Sequence, residues 1–391
     1  MKPHKVQFDN LIAPGPPLKD VVGTYPGIGV MSELVDGVDE VVDFKGRLVR
    51  PKPNGVSTLD LGTQFAPEGA CLPFKLIMGN VMESLNRGAN TVGMITENGP
   101  CRLGFYSLGM RLIFSDLGLG NGWLEFDNAS VSRGYIKYFK DAYRETHGKR
   151  LSVWKVGQGF LVGFSRITAV EKLQEERNRL LAYEREAGSI KAAYEEGLAL
   201  IRAVRSPLAM RGAVRKAMQK LHAVPIDRSR DTVRVAITGE VYCVVDPFAN
   251  SDVEMRLARL GAEPLRVIWQ VNYLRHKLHL DHFRKISHGR AVRAAKQYMG
   301  EDIGGDCNSN IGHAILAHQR GDDGMVHVKP FGCMLEFVSE NLLQKVEEDL
   351  DFPILSLTLD DLSGEERINV RLQAFVDNLF RRKHNRRKEG R

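Results

Sequence analysis

The side chains best suited to chemistry in this chain are its five cysteines, Cys71, Cys101, Cys243, Cys307 and Cys333. An odd number spread over about 260 positions is not a disulfide framework. No CxxC pair occurs, which excludes zinc-ribbon and ferredoxin-type ligand runs. Three of the five share one setting. Cys71 precedes "LPFKLIMGN", where Pro73 suits a first helical turn. Cys101 follows the strand-like 89–96 and "ENGP", and opens a helix near Leu103. Cys333 follows the strand-like 324–329 and "PFG", and opens a helix to Leu350. A helix start favours thiolate over thiol through its partial positive charge. Three such thiolates converging across a cleft between α/β domains can hold three irons of a 4Fe–4S cluster and leave the fourth iron open. The competing reading makes each a small buried hydrophobe. Cys243 reads as a mid-strand residue and Cys307 as part of a flexible Gly/Asn loop, so neither joins the candidate set.

Other polar residues flank these positions. Glu240, Asp246 and Asn250 in "GEVYCVVDPFAN" stand around a strand end, where they either meet substrate or make a turn and a helix cap. Lys75 and Arg102, each close behind a candidate cysteine, either balance an anionic cluster or CoA phosphates, or are ordinary surface cations. His276, His279, His282 and His288 do not share one tight helical face, which argues against zinc. "TYPGIGVMSE" and "GLGNGW" lack the glycine spacing of dinucleotide and P-loop motifs, so ATP, where it is used, belongs to a partner.

The elements that must position these residues alternate. Strand-like runs at 5–9, 39–44, 89–96, 122–126 and 151–157 are interleaved with helices at 73–88, 103–118 and around 130–147. Residues 165–222 carry almost no strand signal. There Ile190, Ala193, Tyr194, Gly197, Leu198 and Ile201 mark one apolar helical face, and Pro207 after Ser206 starts another helix. From 231 the alternation resumes, with strands at 232–238, 264–271, 324–329 and 353–359 and helices at 251–262, 274–299, 311–321, 333–350 and 365–382. The expected fold class is α/β, with two Rossmann-like domains of helix-covered parallel sheet and a helical insert between them. The expected boundaries are 1–160, 161–230 for the insert, 231–380, and a basic tail at 381–391.

Hydrophobic content of 43% and charged content of 26% suit a globular protein of two or three domains. No apolar run is long enough to span a membrane, and 1–17 lacks a secretory h-region, so a cytoplasmic protein is expected. The net charge is +7, but the tail "RRKHNRRKEGR" supplies +6 of it. The body is near neutral, which argues against a built-in nucleic-acid groove and for a solvated, frayed tail.

"EGACLPFKLIMGN", "GPCRLGFYS", "ITGEVYCVVDPFAN", "GDDGMVHVKPFGCMLE" and "RLQAFVDNLF" occur in this order in proteins similar to the 2-hydroxyacyl-CoA dehydratase subunits, most closely the branch described as CoA protein activase-related. The resemblance spans about residues 55 to 380. It implies Rossmann-like domains and a 4Fe–4S cluster on Cys71, Cys101 and Cys333. It also implies an ATP-hydrolysing activator with its own cluster that delivers a low-potential electron, a related second subunit, and an acyl-CoA-like substrate. In such dehydratases the electron passes to a thioester carbonyl, and the resulting ketyl radical lets the 2-hydroxyl leave. The chain departs from the pattern at Leu335, where Cys-Met-Pro-Glu is usual, and at His313, where an acidic residue often follows the glycine. Three suitable cysteines imply a single cluster, not a double cubane. The alternatives are a cluster-bearing scaffold or electron relay without catalysis, and a structural α/β protein whose tail binds nucleic acid or an acidic partner.

Overall fold

The computed structural model describes residues 20–96, 101–119, 122–127, 140–141, 143–145, 147–277, 287–301, 303–362 and 364–390. These form a mixed α/β structure with two parallel sheets, of three and four strands. The chain divides into two compact units.

The first unit comprises Met1–Gly27, Val42–Ala70 and Phe74–Gly157. Its sheet runs in the order β1 (Gly23–Thr24), β2 (Thr91–Thr96), β3 (Gly122–Asp127). Helix α1 (Ser32–Val42) lies almost wholly in the second unit and takes up residues 39–42 of the strand expected at 39–44. The longer window explains this: Leu34, Val35, Val38, Val41 and Val42 recur at helical spacing, which the six-residue window concealed. Helices α2 (Val56–Phe65) and α3 (Leu72–Asn86) cross so closely that a Cβ on Gly62 would overlap the Lys75 carbonyl, and one on Gly79 the Thr58 carbonyl. Phe74, Leu76, Ile77 and Val81 of α3 are buried, as their spacing predicts, and Gly88 follows the helix with φ +98°. The helix expected from Leu103 begins as a 3-10 turn, Arg102–Phe105, before α4 (Tyr106–Asp116). Phe74 meets Tyr106 edge-on at 5.0 Å between ring centroids. The strand expected at 5–9 and most of the helix around 130–147 lie outside the described residues.

The second unit comprises Ile28–Val41, Cys71–Pro73 and Gln158–Arg391. The strand expected at 151–157 is absent: Val153 starts α5 (Val153–Leu181), a 29-residue helix whose length overrides the local β-branched signal. With α6 (Ser189–Arg202) and α7 (Pro207–His222) it makes the helical region expected for 165–222. All six residues of the apolar face read on α6 are buried, and Pro207 stands at N1 after Ser206. Buried Arg166 of α5 pairs with Glu40 through two hydrogen bonds, of 3.1 and 2.6 Å, and donates to the Val204 carbonyl at 2.9 Å.

Four parallel strands complete this unit: β4 (Val233–Gly239), β5 (Ala262–Arg266), β6 (Gly324–Pro330) and β7 (Ile354–Leu359), in the spatial order β5-β4-β6-β7. Between them run α8 (Val241–Val245), α9 (Val253–Arg259), α10 (Gln270–Lys277), α11 (Ser287–Ala295), α12 (Cys307–Arg320) and α13 (Met334–Leu350). Glu171 of α5 caps α10, accepting from the Gln270 and Val271 amides at 2.6 and 2.9 Å. Burial raises its carboxyl to about 7.

The tail is a correction. Residues 381–388 are not frayed; they continue α14 (Glu365–Lys388). Its cations pair with aspartates before three strands: Arg382 with Asp351, Lys383 and Arg387 with Asp231, and Arg386 with Asp323. Lys383 also donates to the Thr232 carbonyl. Anchored charges explain why the basic run stays helical.

Candidate functional site

In the second unit's sheet the chain leaves β4 toward β5 on one side and leaves β6 toward β7 on the other. Neighbouring strands whose connections diverge open a crevice beyond their carboxyl ends, where parallel sheets hold ligands. Gly239 ends β4 there with φ +142°, and a Cβ would overlap the Val328 carbonyl, so only glycine permits this closeness to β6. The Glu240 amide donates to that carbonyl at 2.9 Å, locking the two strand ends together.

Two turns leave this place. After β4, Glu240 caps α8, its carboxylate accepting from the Tyr242 and Cys243 amides at 3.1 and 2.9 Å. After β6, Phe331 and Gly332 (φ +73°) turn the chain so that Cys333 becomes the N-cap residue of α13. Cys333 is part-exposed, and Phe331, Met334 and Phe337 beside it in sequence are exposed apolar side chains. Cys71 is buried at the head of α3, in a segment belonging to this same unit.

Cys243 is the residue the sequence reading set aside. It is not mid-strand but inside α8, with no exposed surface. Burial foremost pushes its thiol well up; the Glu240 charge and hydrogen bond follow, then the charges of Cys71 and Cys333. Cys71 and Cys333 of the same unit thus both lie within electrostatic reach of Cys243. Burial likewise raises the Glu240 carboxyl, against the two amides and the Cys243 thiol that favour its charge, while Glu336 raises it further. Cys307 is also not in a loop: it is the buried first residue of α12. No disulfide joins any of the five cysteines.

Behind the crevice lies a buried polar chain that sequence inspection missed. Glu336, in the first turn of α13, accepts from Asn310 Nδ2 at 2.9 Å and contacts His327 Nε2 at 2.6 Å. His327 Nδ1 reaches Ser356 at 3.2 Å. Asn310 Oδ1 accepts from the Thr238 hydroxyl at 2.6 Å and from the Gly239 amide at 3.1 Å. With its proton committed, Thr238 accepts from His313 Nδ1 at 3.0 Å, which fixes the His313 tautomer. Burial, then the charges of His288 and Arg320, hold His313 down to about 3. These residues are scattered over β4, β6, β7, α12 and α13, so no local motif marks them.

The remaining candidates fall as follows. Asp246 accepts from the Ala249 amide at 2.8 Å; Asn250 accepts from Val253 at 3.2 Å and donates to the Cys243 carbonyl at 2.8 Å. Both thus hold the loop between α8 and α9. Lys75 is buried in α3, whereas Arg102 is exposed and donates to the Gly69 carbonyl at 3.3 Å. Cys101, part-exposed, caps the 3-10 turn in the first unit. His279 and His282 lie outside the described residues.

Among the described residues, no three Cys, His, Asp or Glu side chains already stand as a metal-binding group. No described helix is long and apolar enough to cross a membrane. No protein-family model matches the chain, and no curated protein matches it significantly.

Proposed function

We propose that this chain is an iron–sulfur protein similar to the 2-hydroxyacyl-CoA dehydratase subunits, with each unit a Rossmann-like half. Cys71, Cys101 and Cys333 would hold a 4Fe–4S cluster. The observation that supports this reading is that Cys71 and Cys333, both of the second unit, each act electrostatically on Cys243 just beyond the end of β4. The donor set fits by its chemistry: Cys333 caps a 17-residue helix and Cys71 immediately precedes a 15-residue one, and that helix-start setting favours thiolate. When bound, such a cluster supplies one-electron chemistry at low potential.

This chain's own residues do the rest. Glu336, His327 and Asn310 fix the first turn of α13 and thereby orient Cys333. Gly239 permits the approach of β4 to β6. The exposed Phe331, Met334 and Phe337 supply apolar surface beside Cys333 for an acyl-CoA-like substrate or for the ATP-hydrolysing activator that delivers the electron. A reducing cytoplasm suits five cysteines without a disulfide. A related second subunit belongs to the same proposal.

Anaerobic reconstitution followed by iron and sulfide analysis and EPR tests the reading. A brown protein with about four irons per chain is expected, with iron retention several-fold lower for Cys71→Ser and Cys333→Ser. A colourless, iron-free protein overturns it. Turnover of a 2-hydroxyacyl-CoA with activator separates the enzyme from a non-catalytic relay.

A further inference from the structure

Four cations of α14 are already bound to aspartates, so the chain's unbalanced positive charge is to be sought elsewhere. Residues 197–226 hold six Arg and Lys and no Asp or Glu, a run that the near-neutrality of the body conceals. Two of the six are paired, Arg202 with Glu33 and Lys220 with Glu196. Arg205, Arg211, Arg215 and Lys216 are exposed and have no ion pair or hydrogen bond among the described residues. Helix α7 displays three of them on one side. Its buried side is Met210, Ala213, Ala217 and Leu221. Leu208, Arg211, Gly212 and Arg215, three and four residues apart, line the opposite side, with Lys216 next to Arg215. Gly212 is a second sign of a ligand. It is the sixth of sixteen helical residues, where glycine weakens a helix relative to alanine. A Cβ there would meet nothing within 4 Å, and its φ is not positive. Neither packing nor backbone demands glycine, so what it supplies is room for a ligand to come close to the helix.

We propose that the outer face of α7 binds the phosphate backbone of a nucleic-acid duplex through Arg205, Arg211, Arg215 and Lys216, with Gly212 as the point of closest approach. Three of the four cations are arginines, whose paired N–H groups match two phosphate oxygens at once. Arg211 and Arg215 stand about 6 Å apart along the helix axis, side by side on one stripe. A bilayer is a poorer occupant, because the apolar side of α7 is already buried and only Leu208 is left to enter it. A single strand is poorer too, because α7 carries no Phe, Tyr or Trp on which bases could stack. Contacts to phosphate carry no sequence information, so binding is indifferent to base sequence. This proposal is independent of the iron–sulfur reading.

The test is fluorescence anisotropy of a labelled DNA duplex of arbitrary sequence, about 20 base pairs long, titrated with the full chain over a range of salt concentrations. Each phosphate neutralised contributes about 0.9 to the salt slope, so four cations give log K against log salt a slope of about −3.6. Replacing Arg211, Arg215 and Lys216 together by glutamine is expected to weaken binding at least about tenfold at low salt and to flatten the slope toward about −0.9. Gly212→Leu is expected to bind several-fold more weakly while melting no lower than wild type, which separates binding from folding. Replacing Lys383, Arg386 and Arg387 of α14 by glutamine is expected to leave affinity within about twofold, since those cations are already paired. A wild-type chain that does not bind the duplex overturns the proposal. So does a triple α7 variant, or a Gly212→Leu chain, that binds as wild type does. Tighter binding of poly-L-glutamate than of the duplex, lost in the triple α7 variant, assigns the face to an acidic protein and also overturns it. Should a variant fail to fold, the wild-type salt slope decides, and a slope near zero counts against the proposal.

Discussion

Glu336 is the junction of the buried polar chain that links Thr238, Asn310 and His327. It is 1% exposed and holds both Asn310 and His327, which is itself fully buried. Truncation leaves two buried partners unsatisfied, and each such group costs about 1–3 kcal/mol. Glu336→Ala is therefore expected to destabilise the chain by roughly 3 kcal/mol in urea unfolding, with Glu336→Gln milder. A change below ~1 kcal/mol would contradict the network. Arg166 makes a second case. Its side chain is 2% exposed and bound to Glu40, so Arg166→Ala is expected to cost roughly 3–5 kcal/mol, and Arg166→Met less, because methionine removes the buried charge while keeping volume.

Among the elements, α14 invites the cleanest experiment. Its ion pairs to Asp231, Asp323 and Asp351 are part-exposed, and such pairs contribute at most about 1 kcal/mol each. Replacing Lys383, Arg386 and Arg387 together by glutamine is expected to cost about 1–2 kcal/mol at low salt. The loss should shrink toward zero in about 1 M salt, where screening is short-ranged. A loss independent of salt would assign α14 to apolar packing alone, through buried Ile368, Leu372, Val376 and Leu379. Legibility in the sequence also varied by element. The α6 face could be read because six buried residues repeat within one helix. Strands β4, β6 and β7 could be read because buried parallel strands are short β-branched runs between turns. Elements failed where the deciding information lay beyond the window: 39–44 belongs to a helix starting at Ser32, and 151–157 to one ending at Leu181. The setting of Cys333 was legible as strand, turn and helix. That of Cys243 was not, because "GEVYCVVDPF" mixes β-branched residues with a five-residue helix that only the Glu240 cap and the close β4–β6 approach enforce.

The stability of the whole molecule against pH carries two opposed contributions. Glu171, raised by burial to about 7, is protonated in the folded chain where the unfolded chain has already ionised. Its contribution is full below the ordinary carboxyl value and is lost as pH rises to about 7, a total of roughly 3 kcal/mol. His313, held down to about 3, acts in the other direction: its contribution is present above the ordinary imidazole value and is lost as pH falls toward 3. The two slopes offset each other between about pH 4.5 and 6.5. Wild-type stability is expected to be comparatively flat there, while Glu171→Gln is expected to show stability rising with pH across the same interval. Urea midpoints across this range provide the check, and an unaltered slope in Glu171→Gln removes Glu171 as its source.

The ionic contacts of α14 also bear on the order in which the chain is made. Translation delivers β4, β6 and β7 before the helix whose cations reach Asp231, Asp323 and Asp351 at their starts. Earlier still, it delivers Ile28–Val41 and Cys71–Pro73, which belong to the same unit. A nascent chain released up to Leu359 has the whole four-stranded sheet in hand but not its fastening. Cys71 must then wait on the ribosome for the bulk of its unit, which begins at Gln158. Arrest of translation before α14 is accordingly expected to yield chains that pulse proteolysis cuts readily.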